Sequence, residues 1–385
     1  MGSYYSSPRH YLFAPILGVF ILLFSLLGFG RSEGEREAMF YKKLEGNKVV
    51  CELCPRYCLI EPHKRGFCRN RENRNGRLYS IVYAYPCSVN REPIEKAPFF
   101  HFLPGELRLT LATVSCNQRC KYCQNWEISQ RSLEEVPSFY LPPEEVVKTA
   151  KKWGVKIICF TYTEPIVFYE YMYDIAKLAR KEGIKSVVVT GGYINEIPLR
   201  ELCKVVDGIK VDLKGFNEDF YEKTCSSTLQ PVLDALKIIR EEGVWLEIVN
   251  LVVPSLNDDL KEIKKMCQWI KENLGEDVPL HFTRFFPNYK LQQLPPTPIK
   301  TLEAAHQVAR ECGLKYVYLG NCPGHKFENT YCPKCGTLLI KRVGITMTEN
   351  HLKDGKCPKC GEKIPGIFTL IQKNMTSAAR RKNEE

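Results

Sequence analysis

Histidine is scarce in this chain, with seven in 385 residues, so hydrolysis built on clustered histidines is not expected. Charge of one sign is not concentrated either. The formal excess is +11, but lysine and arginine are spread along the whole length, with one short run of Lys373, Arg380, Arg381 and Lys382 near the end. That pattern reads as a solvated, mildly basic surface. Basic and aromatic residues do not interleave as on nucleic-acid-binding faces, so nucleic acid is not an expected partner. What the chain has in excess is cysteine, 18 residues. Eleven fall into three short-spaced groups, and Cys87, Cys159, Cys203, Cys225, Cys267, Cys312 and Cys322 are scattered. In a chain of this length such spacing favours metal over disulfides, and metal thiolates need a reducing compartment.

Residues 1–38 read as a leader. Tyr11 to Gly30 carries no charge and is rich in Leu, Ile and Phe, about long enough to cross a bilayer. Arg9 and His10 precede it as in a signal anchor, and no good small-x-small cleavage site follows. The expectation is an anchor over 11–30 with the catalytic part in the cytoplasm, since export would expose oxygen-sensitive thiolate chemistry. A start at Met39, just ahead of the cysteine-rich region, is the competing reading. Met1-Gly2 with Ser6 is only a weak myristoylation match.

Residues 39–106 form a cysteine- and arginine-rich module with few long apolar runs. From residue 107 to 320 the pattern becomes regular. Apolar, β-branched runs at 109–114, 156–161, 185–190, 208–213, 244–253, 279–284 and 315–320 alternate with amphipathic stretches near 143–153, 166–182, 198–206, 229–242, 258–274 and 299–312. Alternation of this kind predicts βα units around a parallel sheet. Pro142-Pro143-Glu144-Glu145 opens one helix, and Gly183, Gly243 and Gly313 close others. Six βα units and a last strand predict an α/β fold, a partial (β/α)6 TIM-like barrel, with chemistry at the carboxyl ends of its strands. A second cysteine module spans 321–370, and a polar tail follows at 371–385.

The first of these strands runs into Cys116-Asn117-Gln118-Arg119-Cys120-Lys121-Tyr122-Cys123, spaced C-x3-C-x2-C. Three thiolates on one short loop can bind three irons of a [4Fe–4S] cubane and leave the fourth open. That iron can chelate the amino and carboxylate groups of S-adenosylmethionine (SAM), whose one-electron cleavage gives a 5′-deoxyadenosyl radical. A three-thiolate zinc site is the competing reading. Position after the first strand of a βα series, with an aromatic before the third cysteine, weighs against it.

The octapeptide resembles the radical SAM motif. The wider set of Cys54-Pro55-Arg56-Tyr57-Cys58, Pro93-Ile94-Glu95-Lys96, His101-Phe102-Leu103-Pro104-Gly105 and Cys123-Gln124-Asn125-Trp126-Glu127-Ile128-Ser129 resembles the radical SAM member of the AmmeMemoRadiSam system. It is more distantly similar to the pyruvate formate-lyase activating enzymes. The resemblance implies a radical SAM barrel, with catalytic Cys116, Cys120 and Cys123 and a set of SAM contacts. Tyr122 would pack near the adenine. Glu164 stands where the family has Gly-Gly-Glu-Pro and would accept from the SAM ammonium, although Tyr162 and Thr163 replace the two glycines. Thr190 and Gly191 would approach the ribose or methionine moiety. Asp212-Leu213-Lys214 matches the activases' Asp-x-Lys, and Asn250 and His281 are expected on later strands facing the same rim. The resemblance also implies an electron donor such as ferredoxin or flavodoxin, Memo-like and AMME-domain partners, and a protein or peptide substrate.

Two cysteine groups lie outside the barrel. Cys332-Pro333-Lys334-Cys335-Gly336 and Cys357-Pro358-Lys359-Cys360-Gly361 form two knuckles of a zinc ribbon, closed by four thiolates and therefore structural. Cys51, Cys54, Cys58 and Cys68, spaced C-x2-C-x3-C-x9-C, can hold zinc or a second cluster, and spacing does not separate these. The segment Gln124 to Leu141 has no cysteine, unlike activases with a cluster insert there. The ribbon is expected to cover the barrel's open end and to be dispensable for SAM cleavage. Both points favour the AmmeMemoRadiSam reading over a glycyl-radical activase. The non-enzyme alternative is a multi-zinc scaffold or nucleic-acid-binding protein.

Overall fold

The computed structural model describes residues 36–369, so the stretch 11–30 and the tail 371–385 lie outside the described residues. Among the described residues no helix is long and apolar enough to cross a membrane. The centre of the molecule is an eight-stranded sheet: β1 Ser88–Pro93, β2 Leu107–Ala112, β3 Ile157–Phe160, β4 Lys185–Thr190, β5 Gly208–Asp212, β6 Trp245–Val252, β7 Leu280–Arg284 and β8 Val317–Gly320. The strands lie in sequence order, and β1 and β8 are the two edges. β2 to β8 are parallel throughout, with registers such as Leu109↔Ile158 and Val188↔Ile209. Six longer helices fill the crossovers: α1 Pro143–Lys152, α2 Tyr169–Lys181, α3 Glu196–Cys203, α4 Gln230–Glu241, α5 Leu260–Leu274 and α6 Ile299–Glu311. Gly183, Gly243 and Gly313 take the positive φ that ends α2, α4 and α6.

Strands β2 to β8 are largely buried on both faces because helices cover the outside and side chains fill the inside. Alternation sorts the two. Ile209 and Val211 of β5 join the outer core with Val232 and Leu236 of α4, while Lys210 and Asp212 turn inward to the central cavity. The strand β1 falls within the 39–106 stretch. It pairs antiparallel with β2 from Ser88↔Ala112 to Pro93↔Leu107.

After β1 the chain plugs the barrel's amino-terminal end. Ile94, Ala97, Phe99, Phe102 and Leu103 pack on Ile157, Cys159 and Val187. A Cβ on Gly208 would sit 3.1 Å from the Phe102 ring, so the plug meets β5 where no side chain intervenes. Glu247 holds this segment. Its carboxylate accepts from the backbone N–H of Phe100 and His101, each at 2.9 Å.

The C-terminal module packs under the plug, and the expectation that it covers the open end of the barrel is corrected. Phe100, Tyr316 and Tyr318 share an apolar cluster with Leu339, Ile340 and Ile364. Leu103 N–H donates to Ile367 O (2.6 Å), and Ile367 N–H donates to His101 O (2.8 Å). These residues belong to the plug and to the start of β8, so the module closes the floor and leaves the carboxyl ends free. The physical reason lies in the plug, where the module supplies the partners for Phe100 O, His101 O, Leu103 N–H and His101 Nδ1.

A directed chain of hydrogen bonds crosses this floor. Arg342 Nη1 donates to Thr330 Oγ1 (2.9 Å), Thr330 and Tyr318 hydroxyls meet at 3.0 Å, and His101 Nε2 meets Tyr318 Oη at 2.5 Å. His101 Nδ1 reaches Pro365 O at 2.7 Å. Each link is satisfied with a neutral imidazole that donates from Nδ1 and accepts at Nε2. Burial agrees, pushing the His101 pKa down to about 4.

Candidate functional site

The loop after β2 turns at Ser115, which takes a φ of +74°. Backbone bonds fix it independently of its sulfurs: Arg119 N–H donates to Cys225 O and Lys121 N–H to Thr224 O, both at 2.9 Å. Cys116, Cys120 and Cys123 all line one cavity of about 390 Å³ at the carboxyl ends of the strands. Tyr122, Glu164, Thr190, Gly191, Asp212 and Lys214 line the same cavity. The structure therefore brings together nine of the eleven barrel residues named from sequence.

Tyr122 is buried, its ring stacked on Phe220 at 6.2 Å. Glu164 follows β3 and is fixed from three directions. Its carboxylate accepts from Thr190 Oγ1 (2.6 Å), Gly191 N–H (2.8 Å) and Ile166 N–H (3.2 Å). Burial pushes its pKa above the ordinary value, while those three donors pull it down. At Gly191 a Cβ would lie 2.3 Å from Gln118 Oε1 and 3.3 Å from Glu164 Oε2, so a side chain there would displace the buried Gln118 amide. Asp212 pairs with Lys210 and, at 3.8 Å, with Lys214. Burial would raise its carboxyl, but the two ammonium groups hold it below its ordinary value.

Asn250 and His281 do not face the rim, which corrects that expectation. Val249 and Leu251 point into the cavity, so strand alternation turns Asn250 outward, where its side-chain amide donates to Leu213 O at 2.8 Å. His281 sits a layer lower. It bonds Glu247 at 2.8 Å, both residues fully buried in the floor, and Thr283 two residues on occupies the rim. Sequence reasoning missed Lys96, Arg108, Gln118 and Lys210, which also line the cavity. Lys210 had a legible signal, since Gly208, Lys210 and Asp212 share one face of an otherwise apolar strand.

Comparison with known proteins identifies the fold. A family model described as the radical SAM superfamily matches residues 110–270, which span the cysteine loop, the cavity's acidic groups and β2 to β6. An uncharacterized protein of Methanocaldococcus jannaschii is 49% identical over 331 residues, covering 86% of this chain and 98% of its own length. The chain belongs to the radical SAM superfamily. It is also similar to pyruvate formate-lyase-activating enzyme of Clostridium pasteurianum, at 27% identity over 44% of this chain and 71% of that one. Pyruvate formate-lyase 1-activating enzyme of Escherichia coli K12 is 24% identical over 56% of this chain and 93% of its own length. This radical SAM enzyme is thus related to the glycyl-radical activating enzymes.

Membership implies a [4Fe–4S] cluster and SAM, and the residues present fit both. Three unpaired cysteines converge on one cavity, whose volume lies within the usual range for small-molecule sites. A carboxylate, a threonine hydroxyl and an acidic-basic pair line the wall within the same space. At the other end of the barrel, the sulfurs of Cys332, Cys335, Cys357 and Cys360 all lie within 4.8 Å of one another. Cys332 to Cys360 is 3.5 Å and Cys335 to Cys357 is 3.6 Å, so this group can hold one metal ion.

Glu164 gives a direct test of the SAM site. Glu164→Gln keeps the shape but removes the charge, and hydrogen bonds to charged groups contribute about 1.5–3 kcal/mol. SAM should bind roughly 10- to 100-fold more weakly in equilibrium dialysis of the anaerobic enzyme. Unchanged affinity would remove Glu164 from the SAM site.

Proposed function

We propose that the enzyme cleaves SAM reductively and uses the resulting radical to abstract hydrogen from a protein or peptide substrate within the AmmeMemoRadiSam system. The convergence of Cys116, Cys120 and Cys123 with Glu164 and Asp212 on one cavity supports the SAM chemistry, and the motif resemblance supports the substrate class and the system. The three thiolates would hold the [4Fe–4S] cluster, which when bound supplies one electron to the SAM sulfonium and so yields a 5′-deoxyadenosyl radical. Glu164 accepts from the SAM ammonium, and Thr190 and Gly191 hold that carboxylate in place. Tyr122 offers a flat apolar wall for the adenine. Lys210 and Lys214 keep Asp212 ionised as a hydrogen-bond acceptor. The plug, through Lys96, Ala97 and Pro98, floors the cavity and excludes water from below.

Ferredoxin or flavodoxin is the proposed electron donor, and Memo-like and AMME-domain proteins the partners. The C-terminal cysteines are proposed to bind zinc structurally, because their sulfur separations match the roughly 3.8 Å that a tetrahedral Zn–S bond of about 2.3 Å requires. The catalytic part is proposed to face the cytoplasm, with 11–30 as its anchor.

A glycyl-radical activase is the second reading. The similarity to two pyruvate formate-lyase activating enzymes supports it, as does the module's position on the floor, which leaves the rim open to a protein loop. Electron paramagnetic resonance separates the two. The reduced enzyme with SAM should give deoxyadenosine, stimulated by a Memo-like or AMME-domain partner and without a stable protein radical. A stoichiometric glycyl radical on a glycyl-radical enzyme of the same organism would reverse the preference.

A further inference from the structure

Cys51, Cys54, Cys58 and Cys68 converge on a second, small cavity whose other walls are Leu53, Ile60, Gly66, Ile166 and Val167, closed by Arg56, Arg71 and Asn117. All four cysteines are free of disulfides. Four thiols around one apolar cavity are a metal site, and sulfur spacing decides which kind. A single zinc draws its thiolates to about 3.8 Å of one another. The C-terminal group shows that spacing. Among the described residues no three of Cys51, Cys54, Cys58 and Cys68 bring their sulfurs within 4.8 Å of one another. The same is true of Cys116, Cys120 and Cys123, for which superfamily membership implies a cubane. The N-terminal four are therefore spread like the cluster-binding set and unlike the single-ion set.

Two further observations fit a cluster. Hydrogen bonds to thiolates and sulfides tune such clusters, and donors are already in place. Arg71 Nη1 lies 3.7 Å from Cys51 Sγ, and Phe67 N–H donates to Cys58 Sγ at 3.5 Å. Arg71 is 1% exposed, and its Nε has no partner although the side chain lines the cavity. Gly66 adds no side chain where its Cβ would stand 3.6 Å from Cys58 Sγ.

We infer that Cys51, Cys54, Cys58 and Cys68 hold a second [4Fe–4S] cluster, placed to relay electrons to the first. The two sites share one wall. Asn117 lines the N-terminal cavity, while its neighbours Cys116 and Gln118 line the SAM cavity. Ser115 Oγ donates to Cys68 O at 2.5 Å, Arg56 Nε to Asn117 O at 2.7 Å, and Arg119 Nη2 to Phe67 O at 2.7 Å. Tyr57 and Phe67, on the two cysteine loops, are exposed, so the site lies near the surface where a donor can dock. One electron enters from a low-potential one-electron donor such as reduced ferredoxin, which is oxidised. The same electron leaves to the catalytic cluster, so the relay returns to its starting state. The relay role rests on the reductive chemistry proposed above, whereas the site rests on cysteine geometry alone.

The test uses the full chain, reconstituted anaerobically with iron and sulfide and assayed for iron, sulfide and zinc. The wild type should carry about eight irons, and the variant C116A/C120A/C123A about four, with a [4Fe–4S] resonance after dithionite reduction. Cys54→Ser should lose the second resonance and keep the first. In the wild type, SAM should shift one of two resonances and leave the other unmoved, a readout that needs no variant. About four irons in the wild type with none in C116A/C120A/C123A, and a second zinc in place of a cluster, would overturn the inference and leave the radical SAM site intact. About four irons in the wild type, all of them kept by C116A/C120A/C123A, would support the N-terminal cluster and remove the catalytic one instead.

Discussion

Replacing Cys116, Cys120 and Cys123 together with alanine should reduce 5′-deoxyadenosine formation to background while leaving the fold in place. The structure explains why both parts are expected. The loop's shape is set by backbone bonds to Thr224 and Cys225, by Ser115 to Ile128 and by Arg119 to Phe67, none of which involves a sulfur. The sulfurs face the cavity, where burial holds Cys116 and Cys123 protonated in the free protein. The contact with Cys225 instead brings Cys120 down to about 7, helped by the Lys214 ammonium. Loss of the thiolates thus costs the ligands and little packing. The measurement is deoxyadenosine by chromatography after dithionite reduction with SAM, alongside a thermal melt. Undiminished product from an intact variant would sink the reading that these cysteines hold the catalytic cluster. Loss of product with a collapsed melt would instead mean that the loop needs its sulfurs to fold.

The barrel's strands and helices were legible because β-branched runs and amphipathic stretches alternate with clear Gly and Pro punctuation. The run at 156–161 is β3 within a residue at each end, and 299–312 is α6 within one. Strand β1 was not legible. Its residues Ser-Val-Asn-Arg-Glu-Pro are half-buried or exposed, so no apolar face announces it. The plug itself was not legible, since Glu95 and His101 are polar residues and their burial is not written in the sequence. The site residues divide the same way. The residues that the resemblance named next to the cysteines or just past a strand do line the one cavity. Asn250 and His281 were not, because facing and depth depend on register, and a shift of one residue turns a side chain to the other face. For the N-terminal cysteines, spacing along the chain pointed to a ligand set without naming its metal. The metal they suit is set by the distance between sulfurs, which sequence does not contain.

Arg342→Met should destabilise the whole enzyme, by about 3–5 kcal/mol, as for other buried charges stripped of a partner. Arg342 is the C-terminal module's main polar hold on the barrel. It is 1% exposed, donates from Nη2 to Phe100 O at 2.8 Å and lies with its guanidinium 4.1 Å from the Phe100 ring centroid. Its Nη1 reaches Thr330 and Glu328 O, and its Nε stands 3.9 Å from the buried Glu95 carboxylate. Methionine fills the volume but leaves Phe100 O without that donor and Glu95 without a cation. The melting temperature should fall by on the order of 10 °C. A companion variant, E95Q/R342M, removes the stranded charge and should recover part of the loss, since replacing both members of a buried pair costs less than removing one. Two otherwise equal melts for the single and double variants would show that the Glu95 charge contributes nothing. The same geometry predicts the opposite of the expectation that SAM cleavage survives loss of residues 321–385. Their removal would take from the plug the bonds of Arg342 to Phe100 O, of Pro365 O to His101 Nδ1 and of Ile367 to Leu103 and His101, leaving those to Glu247, Tyr318 and Gly105. Because Ala97 and Pro98 of that plug also floor the SAM cavity, SAM cleavage should fall together with stability. A truncated chain that keeps full deoxyadenosine formation and its melting temperature would show that the module is a passenger.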